Sequence, residues 1–558
     1  MPAPALGGGR ANLVLSGFSA TGKSSVGALV AELLEMPFVD LDQVAERRAG
    51  RSVAELFSTL GEARFRELES ELLLEAVRLS GTVIATGGGA VLHPEFAVLA
   101  AGSVAVVLTA SPEEIEARLV DAPTRPLLAR TPGARIRELL AERAFAYSTA
   151  GYEVESRSRS IPEVAALVAD RYRAEEMSTS LAVAVAGPQG DYPVVVGAGS
   201  RDRLDGLLNY QLPRTGRVVV VSDRAVAGTA GALVAAALQQ AGREVVAMAV
   251  PEGESAKQIA AVAELWDSFQ SLAVDRGDVV VAVAGGAGLD AIGFAAATWG
   301  RGVPWVTVPT TILAMVDASI GGKVAIDREG AKNAVGAFHH PRAVVCDPEL
   351  LTTLPAQVAK DGLAEVVKSA VLASPLLLDV LVQTTGAGEG LPPHLSWLIE
   401  QAARIKAAYV AADPEDHGLR QSLNLGHTYA HGLEAASGYR VSHGRAVAVG
   451  LVAAARLGAG LSLTAGDVPA QLQQALDRLG LLEPLPALDR SRVRTAVLLD
   501  KKRRGGEPAF VVPAANGAAL VSGIELDQAL EPLWELLVDD RGARRERSVA
   551  AGPQEAPR

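Results

Sequence analysis

The chain has 558 residues, 49% of them hydrophobic, and a formal net charge of −12. This length predicts roughly three or four domains, and the acidic charge argues against non-specific binding to nucleic acid. The single cysteine, Cys346, excludes a disulfide framework and a cysteine-based zinc site. We find neither a long uncharged apolar run nor a signal-peptide pattern, so we expect a cytoplasmic protein that does not bind membranes.

Strand-like apolar runs alternate with helical patterns in the first third of the chain, which is typical of a parallel α/β domain. The clearest predicted strands are Asn12–Leu15, Pro37–Val39, Thr82–Ala85 and Val104–Leu108. The alternation fades near residues 165–173, and a polar segment follows. We therefore predict a first domain over residues 1–173 and a linker over residues 174–181.

A second alternation of strands and helices follows this linker. Its predicted strands are Arg217–Val221, Glu244–Val250, Val279–Ala284 and Trp305–Val308. They predict a second α/β domain over residues 182–345, followed by a mainly helical domain over residues 346–538. The charged and then Ala-, Gly- and Pro-rich residues 539–558 are expected to be disordered.

Residues 17–24 match the phosphate-binding pattern G-x-x-x-x-G-K-[ST] between a predicted strand and a predicted helix. Backbone N–H groups and the helix N-terminus can cradle phosphates, Lys23 can reach the outer phosphates, and Ser24 offers an oxygen to Mg²⁺. A chance glycine-rich turn is the alternative, and the flanking elements disfavour it. The predicted contacts with ATP and Mg²⁺ are Gly17, Gly22, Lys23, Ser24 and Ser25.

Five further motifs follow this loop in order along the first domain. They are Asp40-Leu41-Asp42, Phe65-Arg66, Gly87-Gly88-Gly89, Arg125-Pro126-Leu127-Leu128, and Glu142-Arg143 with Tyr147. Taken with the phosphate loop, the set resembles shikimate kinase over residues 11–170. The family usually has a glycine where Ala20 stands, and we expect alanine to cost about 1 kcal/mol there if the backbone needs a positive φ.

The resemblance implies ATP-dependent phosphorylation of shikimate to 3-phosphoshikimate. It implies that shikimate contacts Asp42, Arg66, Gly88 and Arg143, with Lys23, Asp42 and Arg143 acting in catalysis. It also implies that Asp40 helps to hold Mg²⁺ and that Arg125 belongs to a lid over ATP.

Three of the eight histidines of the chain lie between positions 427 and 443, namely His427, His431 and His443. Glu365 and Lys368 lie upstream in an otherwise apolar segment. Two imidazoles and a carboxylate make a three-ligand set that leaves a metal one open position. A helix-face histidine pair with ordinary hydrogen bonds is the alternative. We predict a catalytic metal site in this region.

A predicted buried strand that ends at Ala284 is followed by a glycine-rich loop up to Asp290. Such a loop can hold a dinucleotide pyrophosphate, although the pattern alone is weak. A set of cations would form a pocket for a phosphorylated acid if its members converge in the fold; otherwise they are solvated surface charges. The members are Arg301, Lys323, Lys368, Lys406 and Arg420.

Two stretches resemble 3-dehydroquinate synthase, and the similarity extends over about residues 190–537. They run from Pro309 through Asp317 to Lys323, and from Asn424 through His427 to His431. The resemblance implies a Rossmann-like NAD-binding α/β domain, followed by an α-helical domain that binds the metal. It implies zinc or cobalt held by Glu365, His427 and His443.

The same resemblance implies the other contacts. Those with NAD are Asp223, Glu254, Lys257, Gly286, Asp290, Thr310, Thr311 and Lys332. Those with the substrate are Arg301, Asp317, Lys323, Asn333, Lys368, Lys406, Arg420, Asn424, His431, and Lys501 or Lys502. The residues implied to act in catalysis are Lys323, Lys368, Arg420 and His431. Leu289 stands where the family usually has a glycine, so either its side chain crowds the pyrophosphate or the loop takes a different route.

The implied reaction converts 3-deoxy-D-arabino-heptulosonate 7-phosphate to 3-dehydroquinate and is redox-neutral. NAD⁺ oxidises a ring hydroxyl, phosphate leaves, and the hydride returns before the ring closes. Four alternatives stay open: another sugar-phosphate cyclase, a metal-dependent polyol dehydrogenase, a fusion in which one half is not catalytic, or, for the first domain, another P-loop kinase that acts on a small metabolite. A homodimer through the synthase-like half is also left open. We expect the two halves to work independently, because neither uses the product of the other.

Overall fold

The structure of the protein is a computed structural model that describes most of the chain. The described residues are 10–93, 95–96, 99, 103–119, 132–156, 159–176, 182–185, 190–329, 331–373, 375–384, 394–503, 509–514 and 517–537. The chain divides into two compact units. Residues 8–181 and 374–383 form what we call the N-terminal unit, and residues 1–7, 182–373 and 384–558 form the C-terminal unit. Within the described ranges, no helix has the length and apolar character needed to cross a membrane.

A five-stranded parallel sheet forms the centre of the N-terminal unit, with strand order β2-β3-β1-β4-β5. The strands are β1 (Asn12–Gly17), β2 (Phe38–Asp40), β3 (Val83–Ala85), β4 (Ser103–Thr109) and β5 (Tyr152–Glu155). The central strands β1 and β3 are buried along their whole length, as expected where helices cover both faces of a sheet. Because all strands run in parallel, their carboxyl ends lie at one edge, where β1 leads into the phosphate loop.

Helices flank this sheet and carry several of the predicted site residues. They are α1 (Lys23–Leu34), α2 (Leu41–Ala49), α3 (Val53–Ala76), α4 (Pro112–Leu119), α5 (Pro132–Ala150) and α6 (Ile161–Glu176). The start of α3 is fixed by a capping box, in which Ser52 and Glu55 satisfy each other's backbone N–H groups. Asp40 caps α2 by accepting hydrogen bonds from the backbone N–H groups of Asp42 and Gln43.

The N-terminal unit also takes in helix α12 (Pro375–Thr384), which comes from much later in the sequence. Arg48 of α2 joins α12 to α3, because its guanidinium lies 2.7 Å from Asp379 and 2.8 Å from Glu75. Burial alone would lower the pKa of Arg48, but the two carboxylates outweigh it and raise that pKa. The predicted helical domain over residues 346–538 therefore includes a segment, residues 374–383, that belongs to the N-terminal unit.

A seven-stranded sheet forms the centre of the C-terminal unit, with strand order β6-β7-β14-β11-β10-β8-β9. Strand β6 pairs antiparallel with β7, and the other pairs whose register is known are parallel. The strands are β6 (Ala182–Val185), β7 (Tyr192–Val196), β8 (Val218–Asp223), β9 (Val245–Val250), β10 (Val279–Ala284), β11 (Trp305–Pro309) and β14 (Val344–Cys346). Between β11 and β14 lies an antiparallel hairpin of β12 (Lys323–Arg328) and β13 (Ala331–Phe338).

Helices pack around this sheet and then dominate the rest of the unit. Those of the sheet region are α7 (Leu204–Gln211), α8 (Ala232–Gln240), α9 (Ile259–Ser271) and α10 (Gly286–Thr298). Those of the helical region are α11 (Ala356–Ala373), α13 (Leu395–Ala412), α14 (His427–Ala436), α15 (His443–Gly460), α16 (Val468–Arg478) and α17 (Arg490–Arg503), with a further helix at 526–537. A hairpin of β15 (Phe510–Ala514) and β16 (Gly517–Val521) interrupts them.

The observed architecture confirms the predicted fold class, which is a parallel α/β unit followed by an α/β and helical pair. Each predicted strand lies within a residue or two of an observed one. The division between units at residue 181 coincides with the end of the predicted linker. Residues 177–181 and the predicted disordered tail at 539–558 lie outside the described residues.

Candidate active sites

The phosphate loop runs from the end of β1 to the start of α1, as the sequence predicts. The Nζ atom of Lys23 lies over the loop and donates to the carbonyl oxygens of Gly17 and Phe18, each at 2.9 Å. Gly22 takes the left-handed conformation that leads into α1. Ala20 has a φ of 64°, so the suspected positive φ is real, and alanine costs about 1 kcal/mol at this position. Ser25 lies exposed on α1.

Two of the predicted oxygen ligands for Mg²⁺ meet beside this loop. The hydroxyl of Ser24 donates to Oδ2 of Asp40 at 2.5 Å, while Oδ1 of Asp40 caps α2. The hydroxyl on α1 and the carboxylate at the end of β2 are hard oxygen donors, which Mg²⁺ prefers. The carboxylate is largely buried, so α2 holds it in one orientation.

The three-glycine turn after β3 gathers the predicted shikimate contacts. Arg143 and Tyr147 of α5 both donate to the carbonyl oxygen of Gly88, at 2.9 and 2.7 Å. A Cβ on Gly89 would lie 2.3 Å from Nη1 of Arg66, so glycine is required for the guanidinium to approach. Asp42 lines a cavity in the same region. Arg125 lies outside the described residues.

Sequence reasoning missed Glu69 and His93 at this site. Glu69 accepts from Arg66 at 2.5 Å and lines the cavity beside Asp42. His93 places Nε2 at 3.5 Å from the same Glu69 oxygen, and Ser70 contacts its Nδ1 at 3.0 Å. The spacing of three residues between Arg66 and Glu69 on one helix could have identified the pair. Nothing local in the sequence singles out His93.

The predicted metal ligands converge in the C-terminal unit. Oε1 of Glu365 lies 3.4 Å from Nε2 of His427 and 3.6 Å from Nε2 of His443. All three donor atoms fall within 4.8 Å of one another. Glu365 is 1% exposed, and its carboxylate is ion-paired with Lys368. A buried carboxylate facing two imidazole nitrogens fits a divalent transition metal such as zinc.

The electrostatics of the three ligands follow from their burial and their neighbours. Burial and Lys368 lower the pKa of His427 to about 3, which leaves this imidazole neutral and able to bind a metal. Burial alone would lower the pKa of His443, but the carboxylates of Glu365 and Glu434 raise it to about 10. Burial alone would raise the pKa of Glu365, but Lys368 and His427 lower it.

Three predicted substrate contacts form a charged chain beside the metal ligands. Asp317 lies in a π-helical turn (Ala314–Ala318) and accepts from Lys406 of α13 at 2.6 Å. Lys368 of α11 lies 3.8 Å from the same carboxylate oxygen. Burial and the nearby Arg420 lower the pKa of Lys406 to about 8, although Asp317 opposes the shift. The ammonium groups of both lysines therefore face one carboxylate oxygen beside the metal ligands.

Arg420 and Lys323 extend this positive region. Arg420 is 2% exposed and donates to the carbonyl oxygens of Pro414 and Gly321, while its Nε has no hydrogen-bond partner among the described residues. Lys323 donates to Asp416 at 2.5 Å, a carboxylate that sequence reasoning missed. The sequence Asp413-Pro-Glu-Asp416 reads as a solvated turn, so it gave no signal.

The predicted dinucleotide contacts gather near the carboxyl ends of β8 and β10. Asp223 ends β8 and accepts from the backbone N–H groups of Ala225 and Gly253. Lys257 donates to Asp290 at 2.6 Å and also contacts Asn333. Burial raises the pKa of Asp290 to about 6, even though Lys257 opposes the shift.

The remaining predicted contacts with the dinucleotide lie on β13, α10 and the residues after β11. Lys332 of β13 lies 3.1 Å from Glu254. Gly286 begins α10, and Thr310 and Thr311 follow β11 directly. A helix N-terminus beside the ends of parallel strands suits a pyrophosphate.

Of the two alternatives for Leu289, the structure disfavours crowding of the pyrophosphate. Leu289 lies in the first turns of α10, is 1% exposed, and belongs to the apolar core formed with Val221, Ala284 and Ile292. The helix begins at Gly286, three residues before the leucine, and this turns the side chain into the core.

No contact with the charged chain is described for four predicted substrate contacts. Arg301 is exposed in the turn Trp299–Arg301, and no hydrogen bond or ion pair among the described residues joins it to the charged chain. Asn424 precedes α14 and is half-buried. The side chains of Lys501 and Lys502 lie outside the described part of the chain. His431 does belong to the site, with its ring centroid 5.7 Å from that of His427.

Comparison with protein families covers both units. Residues 19–173 match the model of shikimate kinase, and residues 247–361 and 362–503 match those of the N- and C-terminal parts of 3-dehydroquinate synthase. The 3-dehydroquinate synthase of Symbiobacterium thermophilum is 42% identical over 334 residues, which is 59% of this chain and 93% of that protein. The chain belongs to the 3-dehydroquinate synthase family. Its N-terminal region is a shikimate kinase domain, so one polypeptide carries two enzymes of aromatic amino-acid biosynthesis.

Other relatives of the synthase region agree with this placement. The 3-dehydroquinate synthase of a Synechococcus species is 37% identical over 366 residues, 64% of this chain and all of that protein. Among solved structures, 2-epi-5-epi-valiolone synthase from Streptomyces hygroscopicus, with NAD⁺ and Zn²⁺ bound, is 26% identical. That match has a TM-score of 0.56 and covers 62% of this chain and 97% of that one. A 2-deoxy-scyllo-inosose synthase at 21% identity shares the fold.

Proposed function

We propose that the C-terminal unit converts 3-deoxy-D-arabino-heptulosonate 7-phosphate to 3-dehydroquinate with NAD and a divalent metal. We also propose that the N-terminal unit phosphorylates shikimate with Mg²⁺ and ATP. The observation that carries the synthase proposal is the cluster of Glu365, His427 and His443, beside the chain Asp317, Lys406 and Lys368. A three-ligand metal site next to buried cations suits a phosphorylated hydroxy acid.

The metal ligands proposed are Glu365, His427 and His443, with zinc or cobalt as the ion. A divalent ion held by one carboxylate and two imidazoles supplies a Lewis acid that polarises a substrate oxygen. The ligand set has the three protein donors typical of catalytic zinc sites, and so leaves a position for substrate. Lys368 is ion-paired with Glu365 and balances its buried charge before an ion binds.

The anionic parts of the substrate are proposed to contact the buried cations. Lys406, Lys368 and Arg420 are each nine-tenths buried or more, so a carboxylate or phosphate there is held in a water-poor environment where ionic contacts are strong. Asp317 faces both lysines through the same carboxylate oxygen and offsets part of their mutual repulsion. Lys323 and Asn333 provide further polar contacts at the hairpin β12–β13.

Proton transfer is assigned to the groups around the metal ligands. His431 lies one helical turn after His427 on α14, facing the same region, and is proposed to exchange a proton with the bound substrate. Asp223, Glu254, Lys257, Asp290, Thr310, Thr311 and Lys332 are proposed to hold NAD. NAD⁺ supplies a hydride acceptor that is regenerated within each turnover.

The shikimate kinase proposal assigns the roles by position. Lys23, Ser24 and Asp40 hold the phosphates and Mg²⁺, Arg66 and Arg143 bind the carboxylate of shikimate, and Asp42 orients the attacking hydroxyl. Catalysis then depends on positioning and on neutralising charge at the transferred phosphoryl group. Lys23→Ala is expected to lower shikimate-dependent ATP turnover by several orders of magnitude.

One experiment separates the synthase from a polyol dehydrogenase. Phosphate and NADH are both measured after the seven-carbon substrate is added to the full chain with catalytic NAD⁺. A synthase releases one phosphate per substrate and accumulates no NADH, since the hydride returns. NADH formed in proportion to substrate would support the dehydrogenase and overturn the proposal.

A further inference from the structure

We propose that Glu434 is a positioning residue that orients the metal ligand His443 and that Lys332 holds this carboxylate in place. The inference rests on the proposed metal site. It starts from a difference between the two ligand imidazoles, which are held at their second nitrogen by different groups. Nδ1 of His427 lies 3.1 Å from the backbone carbonyl of Leu425, while Nδ1 of His443 lies 3.5 Å from Oε1 of Glu434.

Both arrangements have the same consequence for the metal-facing nitrogen. With a proton on Nδ1 directed at an acceptor, Nε2 is the nitrogen of each ring that is left to bind a metal, and it lies 3.4 Å from Glu365 in His427 and 3.6 Å in His443. The group that accepts from one ring nitrogen decides which tautomer is present and thus which nitrogen can bind a metal. A carboxylate also raises the basicity of the imidazole more than a backbone carbonyl does.

The helix α14 explains why Glu434 is in place. Glu434 follows His427 by seven residues, which is two turns of an α-helix, so both side chains leave the same face. That face packs against α15, whose first residue is His443. One rigid helix therefore supplies a metal ligand and the carboxylate that orients another.

The burial of Glu434 requires a compensating charge. The side chain is only 8% exposed, and an unpaired carboxylate in such a position would be costly. Nζ of Lys332 lies 3.9 Å from Oε1 of Glu434 and 4.4 Å from the ring centre of Tyr439. Lys332 lies on β13 and also pairs with Glu254 at 3.1 Å. Lys332 and Glu434 therefore connect β13 to the metal ligand His443.

Metal affinity measures this role without recourse to turnover. Full-length protein is stripped of metal and titrated with Zn²⁺ against a chromophoric chelator at one pH. We compare the wild type with Glu434→Gln, Glu434→Asp and the exposed control Glu264→Gln on α9. Glu434→Gln is expected to bind Zn²⁺ about 10- to 100-fold more weakly, as for other groups that orient metal-bound histidines. Glu434→Asp, which keeps the charge but is shorter, is expected to lie between it and the wild type.

Two further readouts separate orientation from a general loss of structure. The unfolding temperature of metal-free Glu434→Gln should match that of the metal-free wild type, whereas the rise caused by Zn²⁺ should be smaller. The visible absorption of the Co²⁺ form should also change, since His443 would be less firmly oriented. If Glu434→Gln binds Zn²⁺ as tightly as the wild type with the same Co²⁺ spectrum, Glu434 has no positioning role.

The design keeps this inference distinct from the metal site itself. Glu365→Gln removes a proposed ligand and should abolish tight Zn²⁺ binding. If Glu365→Gln loses the metal while Glu434→Gln retains it fully, the site stands and the role of Glu434 is overturned. If the wild type binds no Zn²⁺, both the site and the role of Glu434 fail.

Discussion

At the scale of single residues, Lys406 links the electrostatics of the synthase site to its pH dependence. Burial and Arg420 lower its pKa to about 8, so the cation proposed to bind the substrate is lost as pH rises through that value. Because kcat/KM reports the free enzyme, we expect kcat/KM of the synthase to fall above pH 8. A profile that stays flat from pH 7 to 10 would contradict this assignment.

The variant Lys406→Arg tests the same point, since a guanidinium keeps its charge throughout this range. The descending limb of the kcat/KM profile should move to higher pH even if the absolute rate falls.

The lowered pKa of Lys406 affects folding stability in the opposite direction to activity as pH rises. A depressed lysine pKa means that the unfolded chain binds the proton more tightly, so the contribution of Lys406 to stability rises between pH 8 and its ordinary pKa of 10.5.

Ala20 offers a second prediction at this scale. Its φ of 64° is one that glycine adopts freely, so Ala20→Gly should stabilise the N-terminal unit by about 1 kcal/mol. Ala28 on the exposed face of α1 provides a control of opposite sign, because Ala28→Gly should destabilise by about 1 kcal/mol. Urea unfolding of the two variants measures both effects. A loss of stability in Ala20→Gly would show that the loop tolerates alanine without strain.

At the scale of secondary-structure elements, the position of Leu289 in α10 predicts the effect of substituting it. Its side chain is buried in the core, so Leu289→Ala should cost about 2–5 kcal/mol in unfolding free energy, while Leu289→Met should cost less than about 1.5 kcal/mol. We expect NAD⁺ affinity in the folded Leu289→Met variant to match the wild type. Tighter NAD⁺ binding in Leu289→Met or Leu289→Ala would restore the crowding hypothesis.

Helix α12 gives a second prediction at this scale. Arg48 lies between Glu75 and Asp379, and Asp379→Asn removes one of its two charged partners. We expect a loss of about 1.5–3 kcal/mol in the unfolding free energy of the N-terminal unit, because hydrogen bonds to charged groups contribute about that much. Unfolding followed by kinase activity checks this, with Asp170→Asn at an exposed pair as the control. Equal stability in the two variants would show that α12 adds little.

Parallel strands and local motifs could be predicted from the sequence because their signals lie close together in the chain. The strands β1, β8 and β10 are fully buried and each contains a run of consecutive apolar residues, and the phosphate loop follows its strand directly. The hairpin strand β13 was not predicted, since most of its side chains are exposed and no alternation marks it. The same reason explains why Asp416 and Glu434 were missed: each acquires its role from a distant residue, and no local spacing reveals it.

At the scale of the whole molecule, two enzymes share one chain without sharing an intermediate. The proposed product of the synthase is 3-dehydroquinate, and the proposed substrate of the kinase is shikimate, so neither unit consumes what the other makes. The expectation that the halves work independently stays a prediction. A cut after residue 181 would, however, remove residues 374–383 from the N-terminal unit. We therefore expect the separated kinase to be less stable than the kinase in the full chain.

The central claim is that the C-terminal unit is an NAD- and metal-dependent synthase whose metal is held by Glu365, His427 and His443. The most direct measurement is phosphate release from 3-deoxy-D-arabino-heptulosonate 7-phosphate by the full chain and by Glu365→Gln, with shikimate kinase activity measured in the same preparations. The account predicts that Glu365→Gln loses phosphate release and about one equivalent of metal while kinase activity is unchanged. Full metal content and full phosphate release in Glu365→Gln would contradict it.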